Sequence, residues 1–136
     1  MKLQICMLCA LVMGALSYGQ ETESTAQIKE GMIKVAIMYP KGDDSTFDME
    51  YYTGKHMPMA AELFGDALKA MVIDNCLGGG APDSAPAYMA VGYFYFPNMA
   101  TFQKEMGKHS PTLRSDVPNY TNVKPVVMVS KIQTAL

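Results

Sequence analysis

The sequence predicts a single α+β domain in which four strands and two helices follow one another in the order βαββαβ. Three observations support this prediction. The chain has 136 residues, a length that suits one domain. Its composition, 49% hydrophobic and 18% charged, is typical of a globular protein rather than a disordered or fibrous one. Segments rich in β-branched and aromatic residues alternate with segments of helical periodicity.

The first 19 residues have the three-part pattern of a secretory signal peptide. Lys2 precedes an unbroken run of apolar and small residues, and Ser17 and Gly19 occupy the −3 and −1 positions of a cut before Gln20. The apolar run is shorter than the roughly 20 residues that span a bilayer. We therefore expect a secreted or periplasmic protein with no membrane anchor once the signal has been removed.

The predicted cleavage also defines the mature domain. Residues 20–31 are polar and lack an apolar period, which predicts a flexible leader before a domain at 32–136. Cys6 and Cys9 lie inside the signal, so Cys76 is the single cysteine expected in the mature chain. No internal disulfide can then form, and the hydrophobic core or a partner subunit must hold the domain together.

Charge and motifs exclude several classes of function. Eleven basic and thirteen acidic residues give a formal net charge of −2 and no basic stripe, so no nucleic-acid partner is expected. The sequence contains no dinucleotide fingerprint and no flavin or haem motif, which predicts no cofactor. His56 and His109 do not share a metal-ligand spacing and no carboxylate cluster joins them, so no metal site is expected.

The first strand and helix are predicted from local patterns. A β-branched segment at 32–39 stops at a proline, as a strand does. Ser45 and Asp48 form a capping-box pattern, which predicts that the helix begins there. Pro58 has no N–H to donate, so the helix should kink or restart near His56.

The second half of the chain supplies the remaining elements. Strands are predicted at 70–77 and 87–96, and the final strand at 126–132. Asn98 caps a second helix, and Ser110 is expected to start a separate short helical turn because a proline follows it. The order βαββαβ is that of the ferredoxin-like fold, an antiparallel sheet with both helices on one face.

The third strand predicts a partner subunit. Both faces of the 87–96 strand are apolar or aromatic, and both faces of the last strand are largely apolar. A sheet with one solvated face would instead alternate apolar and polar residues. Since two helices cover one face, we expect a second copy of the chain to cover the other, as an obligate homodimer.

His56 is the strongest candidate for chemistry. It follows Tyr52 by four residues, so the two share a helical face close to the kink at Pro58. A histidine with a near-neutral pKa at an apolar helix end can act as a general base or acid. The alternative is a core histidine that only bonds to backbone beside the kink.

Other polar and aromatic residues have plainer interpretations. His109 has no pattern around it and is expected at the surface. Asp74 lies in a strand, where an edge position facing water is the favoured interpretation. Tyr39, Tyr51 and Tyr120 either line a pocket or serve as packing residues.

Three segments give the chain a family resemblance. The opening strand MIKVAIMYP at 32–40 is followed by Tyr52, His56 and Pro58 in a Tyr-x-x-x-His-x-Pro pattern. DVPNYT at 116–121 precedes the final strand. With these segments the chain resembles the EthD-like family of small dimeric α+β-barrel proteins, over essentially the whole mature domain.

The resemblance implies a ferredoxin-like protomer, a face-to-face dimer and a pocket between the sheet and the helices near His56. It also implies an oxidoreductase-like activity. We expect His56 and Tyr52 to be catalytic. Five further side chains are expected to bind the substrate: Tyr39, Tyr51, Met59, Phe94 and Tyr120.

Two classes of function follow. In the first, the protein is a cofactor-independent, oxidoreductase-type enzyme on a small apolar or aromatic molecule. His56 then removes a proton, and Tyr52 orients the imidazole or the substrate oxygen. The same pocket would equally serve an isomerase or a lyase. In the second class, the dimer binds a hydrophobic metabolite without converting it.

Overall fold

A computed structural model describes residues 28–136, which form one four-stranded sheet. The strand order is β2-β3-β1-β4, and every neighbouring pair is antiparallel. This is the predicted ferredoxin-like arrangement. Each predicted strand lies within two residues of the observed one at both ends, since the strands are β1 (Ile33–Pro40), β2 (Ala70–Asn75), β3 (Tyr88–Phe96) and β4 (Val126–Lys131). The predicted signal peptide falls outside the described residues.

The first helical segment changes its winding along its length. It begins as α1 (Met49–Tyr51), continues as a π-helical turn (Tyr52–His56) and ends as α2 (Met57–Phe64). A 3₁₀ turn (Gly65–Ala67) then leads into β2. The predicted interruption before Pro58 is confirmed, and it takes the form of a π turn.

The start of this helix differs from the prediction. Asp48, not Ser45, is the N-cap residue, and its carboxylate accepts a hydrogen bond from the Tyr51 N–H at 2.9 Å. The Ser45 hydroxyl instead bonds to the backbone of Gly42, within the preceding turn. The capping box was wrong because this local turn satisfies the serine before it reaches the helix.

The second helix is longer than predicted. α3 (Met99–Asp116) begins at the expected cap, where the Asn98 side chain accepts from the Thr101 N–H, and it ends in a 3₁₀ turn (Val117–Asn119). Ser110 starts no new helix, because α3 continues through the following proline. Buried side chains on both sides of this proline, His109 and Leu113, anchor the helix.

The helices cover one face of the sheet, and the core lies between them. Val35 of β1 and Phe94 of β3 are paired across the sheet and pack with Met57 and Phe64 of α2. On the helix-free face, Asp74 is exposed on the edge strand β2, as predicted. No helix within residues 28–136 is long and apolar enough to cross a membrane.

Candidate active site

The π turn determines where Tyr52 and His56 point. The Met57 N–H donates to the carbonyl of Tyr52, five residues earlier, so the turn contains one residue more than an α-helical turn. Tyr52, His56 and Met57 are all buried as a result. The local sequence requires some such adjustment, because Pro58 cannot donate to the helical carbonyl of Gly54.

A carboxylate fixes the orientation of the His56 ring. The Nδ1 atom of His56 lies 2.8 Å from Oδ2 of Asp116, at the end of α3. The other carboxylate oxygen of Asp116 accepts from the Tyr51 hydroxyl at 2.8 Å and from the Asn119 amide at 2.9 Å. The carboxylate is therefore held in place by three donors.

Tyrosines surround the opposite side of the imidazole. Nε2 of His56 lies 3.3 Å from the Tyr120 hydroxyl, which is 2.6 Å from the Tyr39 hydroxyl. Burial is the main cause of a raised pKa for both tyrosines, so both hydroxyls keep their protons at neutral pH. A chain in which Tyr39 donates to Tyr120 and Tyr120 donates to Nε2 satisfies all of these groups.

The protonation state of His56 follows from its surroundings. Burial lowers the pKa of His56 below its usual value, and the neighbouring Asp116 offsets only part of that effect. Burial alone would raise the pKa of Asp116, but hydrogen bonds from Asn119, His56 and Tyr51 hold it below its usual value. Because an ionised carboxylate can only accept, Nδ1 carries the proton of the neutral imidazole. Nε2 therefore carries no proton, and its lone pair, the group that a general base uses, accepts from the Tyr120 hydroxyl.

Tyr52 supports the imidazole from one side. Its ring stacks on His56 with centroids 5.5 Å apart and planes inclined by 15°. The Tyr52 hydroxyl extends to the sheet, where it lies over Gly92 of β3, and a Cβ at that position would collide with it. Gly92 therefore makes room for Tyr52, and stacking rather than hydrogen bonding connects Tyr52 to His56.

An apolar cavity lies beside these residues. It has a volume of about 380 Å³ and is bounded by β1, β3 and β4 on one side and by α3 on the other. This volume is within the usual range for small-molecule sites. The lining is mostly aliphatic and aromatic, with Ile37, Tyr39, Tyr52, His56, Phe94, Phe102, Met106, Gly107, Ser110, Leu113, Arg114, Val117, Tyr120, Pro125 and Val127.

Five of the seven residues expected at the site line this cavity: Tyr39, Tyr52, His56, Phe94 and Tyr120. Tyr51 does not, and its hydroxyl instead donates to Asp116. Met59 is also absent from the lining. It is partly buried and packs against the core cluster, in which its neighbours Met57 and Ala60 are fully buried.

Ten of the fifteen lining residues, Phe102 and Arg114 among them, were not sequence-based candidates, and neither was Asp116, which supports His56. For Asp116, the sequence contains a feature that could have identified it. An acidic residue in the last turn of a helix opposes the helix dipole, so it needs a compensating donor such as His56. Its partner lies 60 positions away, and no spacing rule connects the two.

His109 is not at the surface, and the prediction for it was wrong. The side chain is 9% exposed and packs edge-on against Phe64, because α3 turns this position toward α2. Its Nε2 lies 3.4 Å from Glu105, near enough for an ion pair but without hydrogen-bond geometry. Among residues 28–136, no group of three or more potential metal ligands is found.

Solved structures place the chain among known proteins. No protein-family model and no curated protein sequence matches it. An EthD-like protein of Ralstonia eutropha JMP134 is 34% identical, with a TM-score of 0.70 over 75% of this chain and 92% of that protein. An EthD-family protein of Bacillus halodurans C-125 is 17% identical, with a TM-score of 0.53 over 74% and 97%, and shares the fold. The chain therefore belongs to the EthD-like family.

Proposed function

We propose that the protein is a cofactor-independent enzyme in which His56 takes a proton from a small, largely apolar substrate. One observation carries this proposal: the 2.8 Å contact between His56 Nδ1 and Asp116, beside an apolar cavity. The contact leaves the Nε2 lone pair on the side of His56 that faces Tyr120 and the cavity. A buried, oriented and neutral imidazole is the arrangement that general-base catalysis uses.

The chemical step is a proton transfer. A C–H bond next to a carbonyl, or a phenolic O–H bond, breaks, its proton moves to Nε2, and its electron pair stays on the substrate. Asp116 stabilises the imidazolium that forms. The Tyr120 and Tyr39 hydroxyls remain protonated and can donate to the anionic oxygen of the enolate or phenolate.

The fate of this anion decides the reaction class. Return of the proton at another carbon gives an isomerase, and loss of a leaving group gives a lyase. An oxidoreductase-type outcome, the one implied by the family resemblance, requires molecular oxygen to accept electrons from the anion. All three reactions share the first step, so a measurement of proton transfer tests the proposal whichever reaction follows.

Exchange of substrate hydrogen for deuterium measures the first step directly. We would incubate the protein in D₂O with 2-tetralone, an apolar ring ketone with acidic C–H bonds, and follow exchange by NMR. The wild type should accelerate exchange over buffer, and His56→Gln should lose this acceleration by roughly 10²- to 10⁴-fold. His109→Gln is the matched control, since its imidazole is buried outside the cavity, and should exchange at the wild-type rate.

A binding protein without turnover is the second candidate. It is favoured by the 3.3 Å contact of Nε2 with Tyr120, which already occupies the lone pair that a base needs. In that case 2-tetralone would shift the NMR signals of cavity residues, but wild type and His56→Gln would show equal exchange. That result would contradict the enzyme proposal.

We also propose that the protein is a homodimer formed through the helix-free face and the β4 edge. Four consecutive apolar residues of β4, at positions 126–129, are exposed, as is Val72 of β2. An exposed apolar edge strand of this kind favours association with another chain.

Sedimentation velocity tests the dimer. The wild type should have twice the mass of the chain, and Met128→Glu should shift it to monomer. Leu77→Glu, at an exposed apolar residue beyond β2, should leave the dimer intact. A wild type that sediments as a monomer at tens of micromolar would contradict the proposal.

Export remains a proposal that rests on the N-terminal sequence pattern. N-terminal sequencing of protein from the periplasm or the medium should give a chain that begins at Gln20. Protein that stays in the cytosol with Met1 in place would contradict export.

A further inference from the structure

We infer that the ligand of the His56 cavity carries a carboxylate and that Arg114 binds it. Arg114 lies in the last turn of α3 and lines the cavity. The inference rests on the proposed function in one respect, namely that this cavity is where the ligand binds. It adds the chemical class of that ligand and a residue that determines specificity.

The residues that line the cavity include a positive charge and no carboxylate. Arg114 is the one permanent cation among the lining residues described for this cavity, and no Asp or Glu belongs to that lining. Within residues 28–136, the carboxylates in contact with a basic side chain are Asp116 beside His56 and Glu105 beside His109, and neither contacts Arg114, so the Arg114 guanidinium is unpaired. An unpaired guanidinium beside an apolar cavity favours a ligand with a negative charge.

The positions of the polar groups suggest how such a ligand lies. Arg114 is exposed, whereas His56 and Tyr120 are buried, so the cation lies toward solvent and the base lies deeper. Ser110 precedes Arg114 by four residues on α3, also lines the cavity and adds a hydroxyl on the same helical face. A ligand whose carboxylate lies beside Arg114, at the solvent end of the cavity, and whose apolar body lies near His56 would match both ends of the cavity.

A carboxylate fits this site better than a phosphate. The planar guanidinium forms two parallel hydrogen bonds with one carboxylate, whose single charge it neutralises. A phosphate dianion would leave a charge uncompensated near the C-terminus of α3, where the helix dipole is negative. The cavity has the volume of roughly a dozen liquid waters, which suits a body of one or two rings.

Two probes of equal size test the inference. We would titrate the protein with 2-naphthoate and with 2-naphthamide at pH 8 and low salt, following naphthalene fluorescence. The wild type should bind the carboxylate about tenfold more tightly than the amide, as a charge-assisted pair implies. Arg114→Gln should bind both probes equally, and Arg114→Lys should retain part of the preference. Lys108→Gln removes an exposed charge of the same helix outside the cavity and should behave as wild type.

The outcomes separate this inference from the proposed function. Equal binding of the two probes to wild type would overturn the carboxylate inference and leave the cavity as a binding site. Failure of both probes to bind would overturn both proposals. A lower unfolding temperature of Arg114→Gln with an unchanged preference would show that Arg114 merely stabilises the end of α3, and would also overturn the inference.

Discussion

Two buried histidines of this protein differ in nearly everything except their burial. His56 is 5% exposed and His109 is 9% exposed, and both lie on the helical layer that covers the sheet. His56 contacts a carboxylate and a hydroxyl at hydrogen-bond distance and lines a cavity. His109 packs against Phe64, and its buried Nε2 has no hydrogen-bond partner in the described part of the chain.

The comparison shows that burial alone does not identify a chemical site. A buried imidazole becomes a usable base when one nitrogen is fixed by an acceptor and the other keeps a lone pair near space for a ligand. His56 meets these conditions and His109 does not. Four predictions test this difference, beginning with the largest expected effect.

The largest difference is expected between the carboxylates beside the two histidines, measured by their effect on the exchange rate. Asp116→Asn removes the group that fixes the Nδ1 proton and stabilises the imidazolium, so the 2-tetralone exchange rate should fall by roughly 10²- to 10⁴-fold. Glu105→Gln, which alters the carboxylate near His109, should leave the rate unchanged. A rate that is insensitive to Asp116→Asn would remove the basis for distinguishing the two histidines.

The next largest effect is expected on stability, where Gly92 leaves room for the Tyr52 side chain. Gly92→Ala places a methyl group against the Tyr52 hydroxyl and the Met57 methyl group, so the free energy of unfolding should fall by about 1–3 kcal/mol. Gly107→Ala is the control on α3, where a Cβ meets no atom, and helix propensity should raise stability by about 0.5–1 kcal/mol. Urea unfolding measures both values. Equal effects would show that Tyr52 is not tightly held.

The pH dependence of stability should also separate the two sites. Since burial lowers the pKa of His56 from its usual 6.5, the unfolded chain binds this proton more tightly than the folded one. The contribution of His56 is therefore complete above pH 6.5 and is lost as the pH falls through the lower folded-state pKa. His56→Gln should flatten the pH profile of the unfolding free energy in this range. An unchanged slope would contradict a neutral, buried His56.

The smallest effect is expected at the second histidine. His109→Leu removes a buried ring nitrogen without a hydrogen bond and keeps most of the packing against Phe64, so stability should change by less than about 1 kcal/mol or increase. His56→Leu should cost more, since it leaves Asp116 and Tyr120 without a partner. Thermal unfolding of the two variants compares them. A larger loss for His109→Leu would mean that His109 has a stabilising partner.

The sequence predicts the strands and the interruption of the first helix because these depend on local chemistry. The β-branched segments and the missing N–H of Pro58 act on their immediate neighbours, so one chain is enough to interpret them. Asp116 depends on contacts between distant segments. Its pairing with His56 arises only when the end of α3 folds back over the π turn, 60 residues from its partner.

Met59 shows a second limit of sequence analysis. It lies three residues after His56 in the same helical segment, yet it packs against the core and does not line the cavity. The packing of α2 on the sheet decides this, and local sequence does not reveal it. The surface prediction for His109 was also wrong because of tertiary packing. Local spacing could not show that α3 continues through Pro111 and turns His109 toward Phe64 of α2.

The chemistry proposed for the site depends on Asp116 holding neutral His56 with its proton on Nδ1 and a lone pair on Nε2. Long-range ¹H–¹⁵N NMR of the imidazole nitrogens distinguishes the two tautomers and follows their titration. We expect a protonated Nδ1 and an unprotonated Nε2 for His56 at pH 7, with a pKa below the usual 6.5. A proton on Nε2, or a His56 that is still charged at pH 7, would contradict the role of Asp116 and with it the general-base proposal.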